Sequence, residues 1–355
     1  MSESCDRIVY HLRREGFNIY LFHLSYSIEN FDTQISFNGS TTKVPISSDT
    51  EHSLNLLYLF INNFMKGKTI SAIVGFGGSL PLLSSPIIAK LLNLKLIIFL
   101  RGNDFDISLF SSKKREVLFY ALQSSCVSFL NSKEKIQKLR NLLPDVNAIF
   151  LPNSIDLESF FISNFDIQES KKIRGELKYK KIIGFFGQLK AKKGVSFFLH
   201  SLTENEKNQI SFLICGEIGQ EIIDYLKLNN FNYHLYSYQN RIDLIKFYIS
   251  CDAVALPSFY EGMPNVLLEA SSLGIPCIGS KIDGIKDFFE DIEDHFLFTP
   301  LDPISCRNSV IKFLSTTEGT IQKHKEILIE KIKLKYQPSD EVKIIIDTLK
   351  KNGIL

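Results

Sequence analysis

The chain alternates short apolar runs with longer amphipathic stretches, and it does so in two series. NIYLFHL (18–24), SAIVGFG (71–77), KLIIFL (95–100), CVSFL (126–130) and AIFL (148–151) read as buried strands. Helical patterns lie between them at 51–65, 84–92, 113–123 and 133–142. The rhythm restarts with strands at 181–187, 211–216, 232–236, 252–258 and 276–280. Parallel strands need crossover connections, usually helices, so this alternation predicts parallel sheets covered by helices. Two series in 355 residues predict two Rossmann-like domains. The expected division is 1–163 and 164–338, with the polar stretch 164–180 as a linker carrying one short helix. A helical tail from 317, broken at Pro338, is expected to return residues 339–355 to the first domain.

One feature of the first series does not fit. A doubly wound domain opens on a strand, because its first helix crosses between two strands. Here residues 3–15 read as a helix and the first strand follows at 18. That first strand is central in such a sheet, so its loss is expected to leave a gap or to force its neighbours together.

Composition narrows the function classes. A net charge of +2 supplies no field for nucleic acid. The six cysteines (Cys5, Cys126, Cys215, Cys251, Cys277, Cys306) form no C-x-x-C pair, and they read as reduced, buried thiols of a cytosolic chain. The histidines lack metal-ligand spacing, so no metal site is expected. The longest apolar runs are too short to cross a bilayer, and no secretory signal is visible.

The most informative stretch is FYEGMPNVLLEA (259–270). A strand ends in a turn carrying Gly262, and Pro264 suits the first turn of a helix. The first amides of that helix, near Asn265, Val266 and Leu267, are expected to lack internal partners and so to attract an anion. Glu261 precedes the helix, and Glu269 lies about one turn inside it, leaning back toward its start. Both carboxylates can then face one ligand, and carboxylates accept from the paired hydroxyls of sugars and riboses. On spacing alone a capping acid and a surface acid remain the commoner reading.

The neighbouring strand ends change that balance. FFGQLKAKKG (185–194) is a strand, a turn at Gly187 and a basic stretch including Lys190, Lys192 and Lys193. Another strand ends at Gly216, and GSKIDGIKDF (279–288) supplies a further turn. In order and content these pieces resemble glycosyltransferase family 4, retaining enzymes of the GT-B fold. The likeness runs from about residue 71 onward. It is strongest from Cys251 to Phe288, where Glu261 and Glu269 match the family's glutamate-x7-glutamate motif. LPNSIDLESF (151–160) is similar to the family's segment before the linker, and RGND (101–104) to the loop closing the acceptor side.

The resemblance implies an α/β GT-B protein, its two Rossmann-like domains facing across a cleft. It implies transfer of a hexose-type sugar from a nucleotide diphosphate to a glycan or lipid-linked acceptor, in cell-surface polysaccharide or glycoconjugate synthesis. Glu261 and Lys193 would be catalytic, Glu261 at the donor sugar and Lys193 on the diphosphate. Glu269 would hold the ribose. Gly187, Gln188, Gly216, Arg241, Gly262, Met263, Pro264, Asn265, Val266 and Leu267 would complete the donor site, with base recognition around 239–243. Arg101 and Asp104 would lie on the acceptor side. Gly77 and Gly78, in GFGGS (75–79) between a strand and a helix, read from their position either as an acceptor-side phosphate or sugar loop or as a plain tight turn. The nucleotide sugar is then a substrate, and no cofactor or metal is expected.

Three departures stand out. Gln188 occupies a position where the family often has arginine. Arg101 stands where many members have histidine, and a salt bridge to Asp104 or Asp106 is an equal reading. The family's first strand and Gly-rich loop have no counterpart, which raises two further expectations: a late or truncated start, or a catalytically impaired nucleotide-sugar binder or partner subunit. The basic groups Lys113, Lys114, Arg115 and Lys133, Lys135, Lys138, Arg140 are solvated helix faces, or a peripheral contact with the inner membrane surface.

Overall fold

The computed structural model describes residues 2–102, 104–177, 180–293 and 295–355. The chain forms two compact units, Met1–Leu151 with Pro338–Leu355 and Pro152–Gln337. The division falls ahead of the expected residue 163 because the segment after it is tied into the second unit. Asn153 donates to the Met263 carbonyl at 2.7 Å, and the Ile155 amide to the Tyr336 carbonyl at 2.9 Å. The expected linker is mostly helix, Asn164–Glu176, opened by a reciprocal capping box between Ser163 and Asp166. Arg174 fixes its far end through the Ser250 carbonyl and Asp252.

Among the described residues the first unit has seven strands: β1 (Ile19–Ser25), β2 (Asp32–Ser36), β3 (Gly39–Pro45), β4 (Ala72–Phe76), β5 (Lys95–Leu100), β6 (Val127–Leu130) and β7 (Ala148–Phe150). They form two separate sheets, ordered β1-β3-β2 and β4-β5-β6-β7. The second of these is parallel throughout, with Ile98, Val127 and Phe129 fully buried. β2 and β3 form a hairpin turning at Asn38 and Gly39, both at positive φ. A Cβ on Gly39 would lie 1.9 Å from the Ile19 carbonyl oxygen, so only glycine fits. The helix Ser79–Leu91 starts earlier than expected because Pro81 sits in its first turn, where a missing N–H costs nothing.

The helix Pro338–Lys351 belongs to this first unit. Its Ile345 packs in one cluster with Ile8, Ile97, Phe99 and Phe129.

Among the described residues the second unit has six strands: β8 (Lys181–Leu189), β9 (Ile210–Ile218), β10 (Tyr233–Tyr236), β11 (Ala253–Leu256), β12 (Cys277–Ser280) and β13 (Phe296–Phe298). They make one parallel sheet ordered β10-β9-β8-β11-β12-β13. The chain steps outward from β8 through β9 to β10, then returns to the other side of β8 at β11. The order therefore reverses between β8 and β11, and ligands of open α/β sheets bind at the carboxyl ends of such a pair. Ile183, Phe185, Phe212, Ile214, Ala253 and Ile278 fill the core under this point.

Candidate functional site

The carboxyl ends of β8 and β11 place Lys193 against Glu261. After β8, residues Ala191–Lys193 form one 3-10 turn that ends on Gly194. Gly194 has φ +65°, and a Cβ there would stand 2.0 Å from the Pro257 carbonyl oxygen at the end of β11. Only glycine permits that approach. The Phe259 amide donates to the Lys192 carbonyl at 2.9 Å, joining the two loops again. The result is an ion pair, Lys193 Nζ to Glu261 Oε1 at 2.5 Å. Glu261 is 8% exposed, so its charge sits in poorly solvated surroundings.

The turn after Glu261 is held from two sides. The Glu261 amide donates to Asp283 at 3.3 Å. A Cβ on Gly284 would meet the Gly262 carbonyl at 2.6 Å, so the next helix, Asp283–Phe289, is pressed onto this turn. Asp283 accepts φ +34° to make that fit. From the other side, Asn153 reaches both the Met263 carbonyl and the Asn265 side-chain oxygen. Met263 itself is buried.

Pro264 is the capping residue of the helix Asn265–Ser272 rather than part of its first turn. The Leu267 amide donates back to the Pro264 carbonyl at 3.1 Å, so it is already engaged, contrary to the sequence expectation. Among the described residues the Val266 amide has no such partner.

Glu269 lies inside this helix, 5% exposed. Its Oε1 accepts from Arg241 Nε at 3.1 Å and its Oε2 from the Tyr248 hydroxyl at 2.8 Å. Burial, reinforced by the Glu269 charge, pushes the Tyr248 hydroxyl well above the ordinary tyrosine range, so it stays a donor. Arg241 also lies over the Phe160 ring, 5.4 Å from its centre. Gly187 and Gly216 are partners in the β8–β9 ladder, and a Cβ on Gly216 would strike the Gly187 carbonyl at 2.1 Å. Gln188 donates to Glu217 at 3.1 Å and stays exposed.

The residues expected on the acceptor side divide. The Gly78 amide donates to Asp104 at 3.1 Å, so the turn at Gly77 and Gly78, both at positive φ, reaches that carboxylate, while Asn103 of the RGND stretch lies outside the described residues. Arg101 turns the other way. Its guanidinium is buried, donates to the Leu151 carbonyl and pairs with Glu341. Among the described residues neither Asp104 nor Asp106 is its ion-pair partner. Burial lowers its pKa to about 10, with Glu341 acting in the opposite direction. Asp106 pairs instead with Lys135 at 2.8 Å, and Lys135 is 1% exposed. Lys135 is therefore no part of a basic outer face, whereas Lys113, Lys114 and Arg115 are exposed. Cys126 is exposed too, unlike the other five thiols.

Four residues that complete the site were not singled out in the sequence: Asn153, Glu217, Tyr248 and Asp283. Asn153 stands within the quoted LPNSIDLESF stretch, but nothing local announces a partner more than a hundred positions away. Among the described residues no group of three or more His, Cys, Asp or Glu is placed to hold a metal. No described helix is long and apolar enough to cross a membrane.

Residues 166–335 match the family model described as glycosyl transferases group 1. The chain is similar to the Escherichia coli UDP-Gal:alpha-D-GlcNAc-diphosphoundecaprenol alpha-1,3-galactosyltransferase, with 29% identity over 55% of this chain and 52% of that protein. It is also similar to the capsular polysaccharide biosynthesis glycosyltransferase CapM of Staphylococcus aureus, 26% identical over 41% of this chain and 39% of that one. The matched stretch thus spans about half, or less, of these curated relatives. Among solved structures, sucrose-phosphate synthase of Thermosynechococcus elongatus superposes with a TM-score of 0.79 at 14% identity, covering 96% of this chain and 90% of that one. Anabaena HepE, solved with UDP and glucose, gives 0.71 at 16% identity, covering 89% and 86%.

Proposed function

We propose, for a chain that belongs to the group 1 glycosyl transferases with the GT-B fold, that it moves a hexose-type sugar from a nucleoside diphosphate to a glycan or lipid-linked acceptor. The observation that carries this reading is the Lys193–Glu261 pair beside the start of the Asn265–Ser272 helix, at the point where strand order reverses. Lys193 and the Val266 amide suit the negative charge that grows on a departing diphosphate. Glu261 suits the sugar hydroxyls, and Glu269, fixed by Arg241 and Tyr248, suits the ribose.

In the proposed step, an acceptor hydroxyl oxygen bonds to the anomeric carbon on the face from which the diphosphate departs. The carbon–oxygen bond to the phosphate breaks, its electron pair stays on the nucleoside diphosphate, and that phosphate takes the hydroxyl proton. The configuration is retained. Charge is borne by Lys193 and the helix start, so no metal ion is required by this reading. The name of the Escherichia coli relative supports a UDP-hexose as the first donor to try and a diphospholipid as the first acceptor.

A second reading is a nucleotide-sugar binder with weak or no transfer. It is favoured by Gln188, uncharged and tied to Glu217, where a second cation would strengthen the phosphate clamp. Incubation with UDP-, GDP- and ADP-hexoses, with and without EDTA, separates the two. Transfer, or slow donor hydrolysis unaffected by EDTA, supports the first. Saturable donor binding with no turnover supports the second, and no binding of any donor rejects both.

A further inference from the structure

Asp283 carries a backbone conformation that neither its residue type nor its place in the fold calls for. Among the described residues Asn38, Asn93, Asn230 and Leu301 are the other non-glycine positions at positive φ, all between +51° and +61°. That is the left-handed well, roughly +50 to +70°, and each of the four lies in a turn or just past a helix. Asp283 stands at φ +34°, outside that well, and it is the first residue of the helix Asp283–Phe289.

Strain of this kind persists only where the surroundings over-determine it, and it collects at functional sites. Here the chain is pinned on both sides of the strained residue. The Lys281 amide donates to the Phe298 carbonyl at 2.8 Å, the Ile282 amide to the Ser280 carbonyl at 2.9 Å, and the Lys286 amide to the Ile282 carbonyl at 3.0 Å. The backbone of Gly284 lies directly on the glutamate turn: a Cβ there would stand 2.6 Å from the Gly262 carbonyl oxygen and 2.8 Å from the Met263 Cα.

Glycine at 283 would relieve the strain, since it reaches positive φ freely. What aspartate has and glycine lacks is a carboxylate. That group is buried, the residue being 3% exposed, and its Oδ2 accepts from the Glu261 main-chain amide at 3.3 Å. Glu261 in turn is the residue whose side chain meets Lys193. The strained residue therefore grips the acid of that pair by its backbone and leaves its side chain for Lys193.

We propose that Asp283 is a positioning residue for Glu261: its carboxylate, aimed by the φ +34° backbone, fixes the main chain at 261 and so sets the Lys193–Glu261 geometry. The inference rests on the reading of Glu261 as the group at the donor sugar. A small main-chain shift at 261 swings the carboxylate at the end of its side chain, and a misplacement of about 1 Å can cost about 10²-fold in rate.

Three chains test this: the parent, Asp283→Asn and Asp283→Gly. Asparagine visits the left-handed region and keeps a side-chain oxygen for the Glu261 amide, whereas glycine keeps the backbone and loses the acceptor. Exchange of the Glu261 amide, followed by NMR, should be at least ~10-fold faster in Asp283→Gly, the effect of losing one hydrogen bond, and close to the parent rate in Asp283→Asn. With a UDP-hexose donor, kcat should fall ~10–100-fold in Asp283→Gly at a donor KM within ~3-fold of the parent, and it should be kept in Asp283→Asn. The urea midpoint of Asp283→Gly should stay near that of the parent, because the relieved backbone offsets the lost bond. A fall in kcat that tracks the urea midpoint in both variants alike would make Asp283 a purely structural residue and overturn the proposal. So would parent-like exchange and kcat in Asp283→Gly, or the loss of both in Asp283→Asn. The exchange readout needs no turnover: a parent chain inactive with every donor rejects the transfer reading, while the Glu261 amide still decides the role of Asp283.

Discussion

Lys193 Nζ stands 2.5 Å from Glu261 Oε1, although the two residues come from different loops at the ends of β8 and β11. Each is therefore expected to depend on the other. Lys193→Ala and Glu261→Ala should each lower kcat by about 10²–10³-fold, the range for losing a charge aimed at a transition state. Residues acting as a unit are not additive, so the double variant should lose no more than the weaker single one. Steady-state turnover with the best donor measures this, and circular dichroism checks that the fold survives. Full activity in both single variants would remove them from the catalytic centre.

Gly194→Ala tests how that pair is assembled. The substitution forces a side chain into φ +65°, at about 1–2 kcal/mol, and puts a carbon 2.0 Å from the Pro257 carbonyl. The loop must shift, carrying Lys193 with it. Both the urea midpoint and kcat should fall, whereas Lys190→Ala, on an exposed neighbour, should change stability little.

Glu341 lies between two arginines, pairing with Arg101 and accepting from Arg7 at 3.1 Å. Glu341→Ala leaves a buried guanidinium without its carboxylate, a loss of about 3–5 kcal/mol. Urea denaturation should show it. Limited proteolysis should then cut near Pro338 sooner than in the parent chain, because the helix Pro338–Lys351 is held partly through this residue.

Alkaline pH should weaken the fold. Burial raises Cys277 and Cys306 from 9.0 to about 12, and it raises Tyr248 well above 10. Raised folded-state values mean that the unfolded chain loses these protons first. Their contribution is complete below about pH 9 and falls as pH rises toward 12. Urea midpoints at pH 7.5, 9 and 10.5 should be level at first and then drop. Cys277→Ala should shallow the drop, and a level profile throughout would contradict the assignment.

What the sequence made legible was local. Runs such as KLIIFL and KIIGFFG are apolar enough to name their own state, and β5 falls at the expected 95–100. β2 and β3 were hidden because DTQIS and GSTTKVP lack an apolar alternation, and their pairing rests on one Asn-Gly turn. The glutamate loop was readable because its residues are consecutive. Arg101 was not, because its partner lies 240 positions away and two aspartates much nearer in the chain offered a plausible alternative. Asn153, Tyr248 and Asp283 failed to announce themselves for the same reason: each acts through a contact that only tertiary folding creates.

The Arg101–Glu341 pair also imposes an order of events on synthesis. Arg101 leaves the ribosome long before Glu341, and all of Pro152–Gln337 is translated between them. Domains tend to fold as they emerge, amino-terminal first. This chain cannot follow that order to completion: its earlier half stays unlatched until the later half has been made.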